Sequence, residues 1–363
     1  MKQGGGSMDK RWKQLGDLLV NTSAKVQPGE RVMIAMGEVE TLPLTHAVVE
    51  ACIKAGAYPQ VQFLSESLRH LLLRYGADEQ LAWTPEIEAY GMEWADVYFG
   101  LRGAYNLHIH SDIPSERLSI NQRAMGRVST LRWQKTRWCL VRVPNAAFAF
   151  QAETDLESIM DMFFDACLLD WATESAKWRR WADQLSQGRQ VRVTGRETDL
   201  RFSIAGRAWM VGDGALNMPD GEIATAPLTE TIDGAIYFEF PGVLGGRLMH
   251  DIRLRWERGR LVEATASTNQ EYLRAILATD EGASLIGEFG IGTNPYITRF
   301  CRDILIDEKI GGTIHIALGR AYPECGGDNM SAIHWDIVKD LRQEGAVYVD
   351  DQVVLQAGRF YLE

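Results

Sequence analysis

The stretch Gly312–Val338, GTIHIALGRAYPECGGDNMSAIHWDIV, places His315 and His334 inside apolar, strand-like runs with a glycine-rich loop between them. Side chains two apart on a strand share a face. HWD therefore turns His334 and Asp336 to one side and Trp335 to the other, and TIHIALG turns His315 away from Ile314 and Ile316. A nitrogen and a carboxylate on one stiff face suit a divalent cation. Taken alone, the pattern is weak and better suits a pair of hydrogen-bonded strand histidines. Two glutamates shift the balance. Glu222 in MPDGEIATAP follows Asp-Gly and precedes an apolar run, bracketed by Pro219 and Pro227. Glu288 in LIGEFGIGTNP sits among Leu285, Ile286, Phe289 and Ile291, with three glycines close by. A carboxylate in such surroundings is costly unless a cation or donor meets it, and glycine lets a backbone approach a ligand closely. Glu222, Glu288, His315, His334 and Asp336 form a mixed nitrogen and oxygen set, enough for two divalent ions sharing a carboxylate at about 3.5–4 Å. Asp336, short and on a strand, is the favoured bridge, although any carboxylate of the set could instead serve as the base.

The segments GEIATAP, GEFGIGTNP, DEKIGGTIHIALGRAYPECGG and SAIHWD, in that order, resemble the thermophilic aminopeptidase (aminopeptidase T/S) family of metallopeptidases, most strongly over residues 212–340. The resemblance implies that Glu222, Glu288, His315, His334 and Asp336 hold two metal ions, with Zn, Co and Mn all compatible with these donors. It places Tyr322, seven residues after His315, at the catalytic site, so that Glu288 and Tyr322 are the candidate catalytic residues. It also implies a homodimer, an α/β first domain and a metal site in the second. The sequence departs from the family in the short loop from Tyr322 to His334, so the preferred substrate side chain does not carry over.

These ligands need stiff elements beneath them. In the first half, RVMIAMG, YPQVQFLS, ADVYFGLRG and RWCLVRVP read as strands, with helices over Leu42–Gly56, Leu68–Tyr75 and SERLSINQRAM. That alternation predicts a parallel sheet covered by helices. A single helical stretch is expected from Asp155 to Ser186. After Gly188 the texture becomes hairpins: VRVTGRETDLRFSIAG, RLMHDIRLRWERGRLVEATAS and VYVDDQVVLQAGRF, with one helix near Asn269–Thr279. The expected fold is an α/β domain over residues 8–187 followed by a β-rich α+β domain over 188–363 that carries the metal site. Residues 1–7, MKQGGGS, read as a linker before Met8.

The net charge of -11 argues against nucleic acid as a partner. No apolar run approaches the ~18–20 residues of a membrane span, and five scattered cysteines without a CxxC pair suit a reducing compartment. A cytoplasmic enzyme acting on a small peptide or amide is expected. GEFGIGTNP is not GxGxxG and opens no βαβ unit, so it is not a nucleotide loop. Glu308, in the turn DEK, reads as a solvated charge. HIH at His108 and His110 puts two imidazoles on one strand face, without an accompanying carboxylate motif. Three alternatives remain open. A two-metal amidase would act on a small non-peptide amide. A ring-cleaving dioxygenase of the dihydroxypyridine type would hold one iron by two histidines and a carboxylate, but that branch has histidine where this chain has Glu288. A binding protein would retain the scaffold without activity.

Overall fold

A computed structural model describes residues 9–106 and 108–363; the leading segment read as a linker, Met8 and Leu107 lie outside the described residues. The chain forms two compact units. One runs to Leu168 and takes back Gly214–Pro219; the other comprises Leu169–Asp213 and Asp220–Glu363.

The first unit is built on parallel strands β1 (Arg31–Gly37), β2 (Tyr58–Leu64), β3 (Val97–Arg102) and β4 (Arg137–Arg142). Later strands in chain order are β5 (Gln190–Gly195), β6 (Thr198–Ser203), β7 (Met210–Val211) and β8 (Asn217–Met218). β8 returns to the first unit, giving a parallel sheet in the order β2-β1-β3-β4-β8. β1 and β3 are almost continuously apolar because helices cover both faces of such a sheet. The helices Leu42–Lys54, Glu66–Tyr75 and Ser115–Lys135 stand where helical periodicity placed them. The histidines of HIH do not lie on a strand. Their backbone is a turn, with Ile109 N–H donating to Asn106 O at 3.3 Å and Ser111 N–H to His108 O at 3.0 Å. Asn106 also accepts the His108 N–H at 2.9 Å, so the local donors are used before a ladder can form. His110 instead meets Glu66 at 2.8 Å and stacks on His70.

The expected single helix over Asp155–Ser186 is two, Leu156–Cys167 and Trp171–Ser186. Asp170 ends the first register by capping the second helix, its carboxylate accepting the Thr173 N–H. The second helix belongs to the second unit rather than closing the first. Trp178 is fully buried beside Gly221, where a Cβ would come within 3.0 Å of its ring, and Trp181 stacks on Phe360 at 4.7 Å.

The remaining strands are β9 (Glu222–Thr225), β10 (Asp233–Tyr237), β11 (Gly242–Leu244), β12 (Arg247–Met249), β13 (Arg253–Glu257) and β14 (Arg260–Thr265). They continue with β15 (Ile286–Gly292), β16 (Thr313–Gly319), β17 (His334–Asp340), β18 (Ala346–Val349), β19 (Gln352–Gln356) and β20 (Arg359–Phe360). One antiparallel sheet has the order β14-β13-β10-β6-β5-β18-β19-β20, and a second the order β17-β16-β15-β9-β7. Residues 286–292 and 313–319 are buried throughout, so β15 and β16 form the centre of the second sheet. Its back is mostly apolar: Phe289 packs edge-to-face on Phe202 of the larger sheet at 5.0 Å, and both rings are fully buried. Phe202→Ala should cost about 3–5 kcal/mol of stability, read as a lower denaturation midpoint in urea at unchanged slope.

Candidate metal centre

Strand alternation puts Phe289 and Ile291 on the apolar side of β15 and Glu288, Gly290 and Gly292 on the other. Cross-strand pairing extends this second face. Glu288 faces Ala317, which faces Asp336; Gly290 faces His315; Gly292 faces Glu222; Gly319 faces His334. All five expected ligands therefore share one side of the sheet, supplied by β9, β15, β16 and β17. The positions between them are Ala224, Gly290, Gly292, Ala317 and Gly319, a floor without bulk. Gly290 shows why. A Cβ there would lie 2.0 Å from Cε1 and Nε2 of His315, inside the imidazole. A bulge between Ile286 and Glu288 shifts the register and directs Glu288 towards both histidines.

His315 Nε2 lies 3.4 Å from Glu222 Oε2 and 3.5 Å from Glu288 Oε1. His334 Nε2 lies 3.4 Å from both Glu288 Oε2 and Asp336 Oδ2. Two triads follow, Glu222–Glu288–His315 and Glu288–His334–Asp336, each able to present its donor atoms within 4.8 Å. The carboxylate common to both is Glu288, one oxygen to each triad, and not Asp336, which the sequence favoured. Glu288 lies on the strand between those of Glu222 and His315, whereas Asp336 sits on the edge strand β17.

These residues fit a cation. Both ring nitrogens of the fully buried His315, and Oδ1 of Asp336, are buried without a hydrogen-bond partner among the described residues. Buried polar atoms are otherwise nearly always satisfied. His334 Nδ1 donates to Arg320 O at 2.7 Å, which fixes the ring and leaves Nε2 facing the carboxylates. Tyr322 stands beside it, ring edge to face at 5.0 Å.

Protons take the place of cations when the centre holds no metal. Burial disfavours a charged His315, yet Glu288 and Glu222 raise its pKa to about 9. Burial likewise opposes charge on His334, but Asp336 and Glu288 raise it to about 10. Burial would raise Glu288, and the two imidazoles bring it down to about 2; burial lifts Asp336 to about 6. Tyr322 is raised by burial and then by Glu288 and Asp336, so its phenol keeps its proton.

Two groups escaped the sequence reading. Lys309 is fully buried, with Nζ 3.5 Å from Glu222 Oε1 and 4.0 Å from Asp220 Oδ1. It thereby occupies one oxygen of Glu222 and leaves the other to His315. Glu308 is not the solvated charge expected of a turn. It pairs with Lys309, its side chain is only 13% exposed, and burial first of all raises it to about 7. The reason is tertiary: Asp307 accepts the Cys301 N–H at 2.6 Å and the Asp303 N–H at 2.9 Å, tying this turn into the interior. The only local cue was the position of DEK directly before the apolar and glycine-rich start of β16.

Gly290→Ala should displace the His315 ring and abolish tight metal binding, seen as metal content falling below half of wild type after dialysis while far-UV circular dichroism is retained. Loading the metal-free protein with Zn at pH 7.5 should release protons, because His315 and His334 carry them well above that pH and must give them up as ligands. Zn affinity should therefore fall as pH is lowered, which calorimetry in buffers of differing ionisation enthalpy will measure.

The family described as thermophilic metalloprotease (M29) matches residues 8–360. Aminopeptidase T of Thermus thermophilus is 26% identical over 351 residues, covering 86% of this chain and 85% of that protein. Aminopeptidase AmpS of Bacillus subtilis is 23% identical over 389 residues, covering 95% and 92%. Among solved structures, wild-type AmpT from Thermus thermophilus superposes with a TM-score of 0.86 at 24% identity, over 98% of this chain and 100% of that one. A 2,5-dihydroxypyridine dioxygenase from Pseudomonas putida KT2440 superposes with a TM-score of 0.59 at 17% identity, over 96% of each chain, and shares the fold alone. Because the family match runs almost from end to end, over a fold with the same two-part α/β and β-rich layout, this chain belongs to the thermophilic metalloprotease family and is a metal-dependent peptidase.

Proposed function

We propose that this enzyme is an aminopeptidase that removes N-terminal residues from small peptides, using two divalent ions held by Glu222, Glu288, His315, His334 and Asp336. The observation that carries this reading is the pair of His-carboxylate triads sharing Glu288. Zn, Co and Mn all suit the donors, and the resemblance supports a cytoplasmic homodimer as the working form. When bound, the ions supply Lewis acidity for the scissile carbonyl and acidify water to make hydroxide available near neutral pH.

The chain's own groups do the rest. Glu288 stands between the two triads with one oxygen towards each, so its part is to hold the two halves of the centre together. Tyr322, protonated and adjacent to His334, donates a hydrogen bond to the oxygen that gains charge as the amide carbon becomes tetrahedral. Burial raises the Glu222 carboxyl, and Lys309 opposes that shift and directs the side chain, with Glu308 sharing its charge. The glycine and alanine floor leaves the reacting groups room above the sheet.

The carboxylate at position 288 disfavours the dioxygenase reading, whose iron site calls for histidine there. The amidase shares this metal chemistry and differs only in substrate. The test is metal analysis together with a panel of amino-acid p-nitroanilides and small aromatic amides. Two ions per chain and release of p-nitroaniline are expected. Glu288→Ala should lose nearly all activity, and Tyr322→Phe should lower kcat about 10²–10³-fold with KM little changed. Turnover of aromatic amides but not anilides would replace the aminopeptidase with the amidase, and one iron with oxygen uptake would overturn both.

A further inference from the structure

The first unit contains a cavity of about 450 Å³ to which no residue of the metal centre contributes. Its floor is one row across the parallel sheet: Gln62, Ala35, Gly100 and Leu140 are register partners on β2, β1, β3 and β4. Ala35 and Gly100 on the two central strands hollow out this row. A Cβ at Gly100 would lie 2.6 Å from Leu140 Cδ2, so the gap exists because that position has no side chain. The walls come from helices Glu86–Trp94 and Ser115–Lys135, through Glu88, Met92, Met125, Val128 and Arg132. The rim is the carboxyl ends of β1 and β3, where Gly37–Glu38 and Arg102–Ala104 line the opening. In the order β2-β1-β3-β4 the chain reverses its direction of winding between β1 and β3, and open parallel sheets receive ligands in the crevice at that point. The volume falls within the range of about 300–1,000 Å³ typical of small-molecule sites.

On the helical walls of this cavity Arg132 and Glu88 lack a counter-charge among the described residues, as do Arg102 and Glu38 at its rim. The Arg132 guanidinium lies over Trp138 at 4.7 Å and Tyr98 at 5.8 Å, and one Nη reaches Ser129 Oγ at 3.4 Å. Its Nε is buried with no acceptor among the described residues. Burial lowers its pKa, and the like charge of Arg102 lowers it further. On Glu88 only burial acts, raising its carboxyl. Arg132 and Glu88 do not neutralise one another, although both act on the Tyr98 phenol. An anion alone would leave Glu88 unanswered, and a cation alone would leave Arg132 so.

We propose that this cavity binds a small zwitterion of the α-amino-acid type, its carboxylate at Arg132, its ammonium at Glu88 and an apolar side chain against Met92, Met125 and Val128. The site is distinct from the metal centre and does not depend on the aminopeptidase reading, although amino acids are what such a peptidase releases. A free amino acid and a dipeptide share this chemistry, and the test separates them.

The full-length protein is titrated calorimetrically with L-leucine, L-leucyl-L-leucine, 4-methylpentanoate and 3-methylbutylamine. Wild type, Glu222→Ala, Arg132→Lys, Arg132→Met and Glu88→Gln are compared, with melting curves to confirm folding. Saturable leucine binding is expected in wild type and in Glu222→Ala alike, and leucine and dileucine are ranked in Glu222→Ala, whose lost metal ligand keeps the dipeptide from being cleaved during the titration. The acid without an ammonium, the amine without a carboxylate, Arg132→Met and Glu88→Gln should each weaken binding about tenfold or more. Arg132→Lys, which keeps the charge but loses the fork, should weaken it less. No saturable binding in wild type would overturn the proposal. So would loss of binding in Glu222→Ala with retention in Arg132→Met and Glu88→Gln, or equal binding of the singly charged analogues. The readout is binding, so the result stands whether or not any anilide is cleaved.

Discussion

The cost of holding charge out of water governs the second unit. Glu222, Glu288, His315, His334 and Asp336 share one face of a sheet whose other face is mostly apolar, and Lys309 is buried beside them. Carboxylates brought this close raise one another's energy unless cations intervene. The protein supplies one such cation permanently in Lys309, and protons on His315 and His334 supply more when metal is absent. A divalent ion satisfies the same charges with stronger and more directional bonds. The arrangement is thus a strained electrostatic balance that metal binding relieves, which is why the donors can be preorganised without an ion holding them together.

Preorganisation depends on what the strands omit as much as on what they carry. Gly290, Gly292, Ala317 and Gly319 clear the face around the donors, while Phe289, Ile291, Ile314 and Ile316 anchor the reverse side. Antiparallel pairing converts four separated segments into neighbours at fixed spacing, and the bulge at Glu288 gives that side chain its shared position. The first unit uses a related device: Ala35 and Gly100 open a row of the parallel sheet, and the space is bounded by charges that have no ion pair among the described residues. In both units small residues at the centre of a sheet open the space beside the charged groups.

Much of this was legible in order along the chain. The alternation of HWD and TIHIALG sets which side chains share a face, and Glu222 and Glu288 are conspicuous because a lone carboxylate in an apolar, glycine-rich run needs a partner. The βα texture of the first half and the hairpins after Gly188 likewise follow from local periodicity and turn chemistry. Local signals failed where a competing local bond or a distant contact decided the outcome. HIH has a strand pattern, but Asn106 draws its backbone into a turn. The apolar spacing through Asp155–Ser186 suits one helix, but Asp170 caps a second.

The sequence by itself determined which five donors to expect, the strand faces of His315, His334 and Asp336, and the two kinds of domain, because residue type and periodicity act over a few neighbouring positions. Only the tertiary structure decided that Glu288 rather than Asp336 is shared, since that depends on the order β17-β16-β15-β9 and on a one-residue register shift. It also decided that Glu308 and Lys309 are buried and that the helix Trp171–Ser186 belongs with the second unit. Burial and sharing are set by what packs against a segment from far along the chain, and no local pattern encodes the identity of that neighbour.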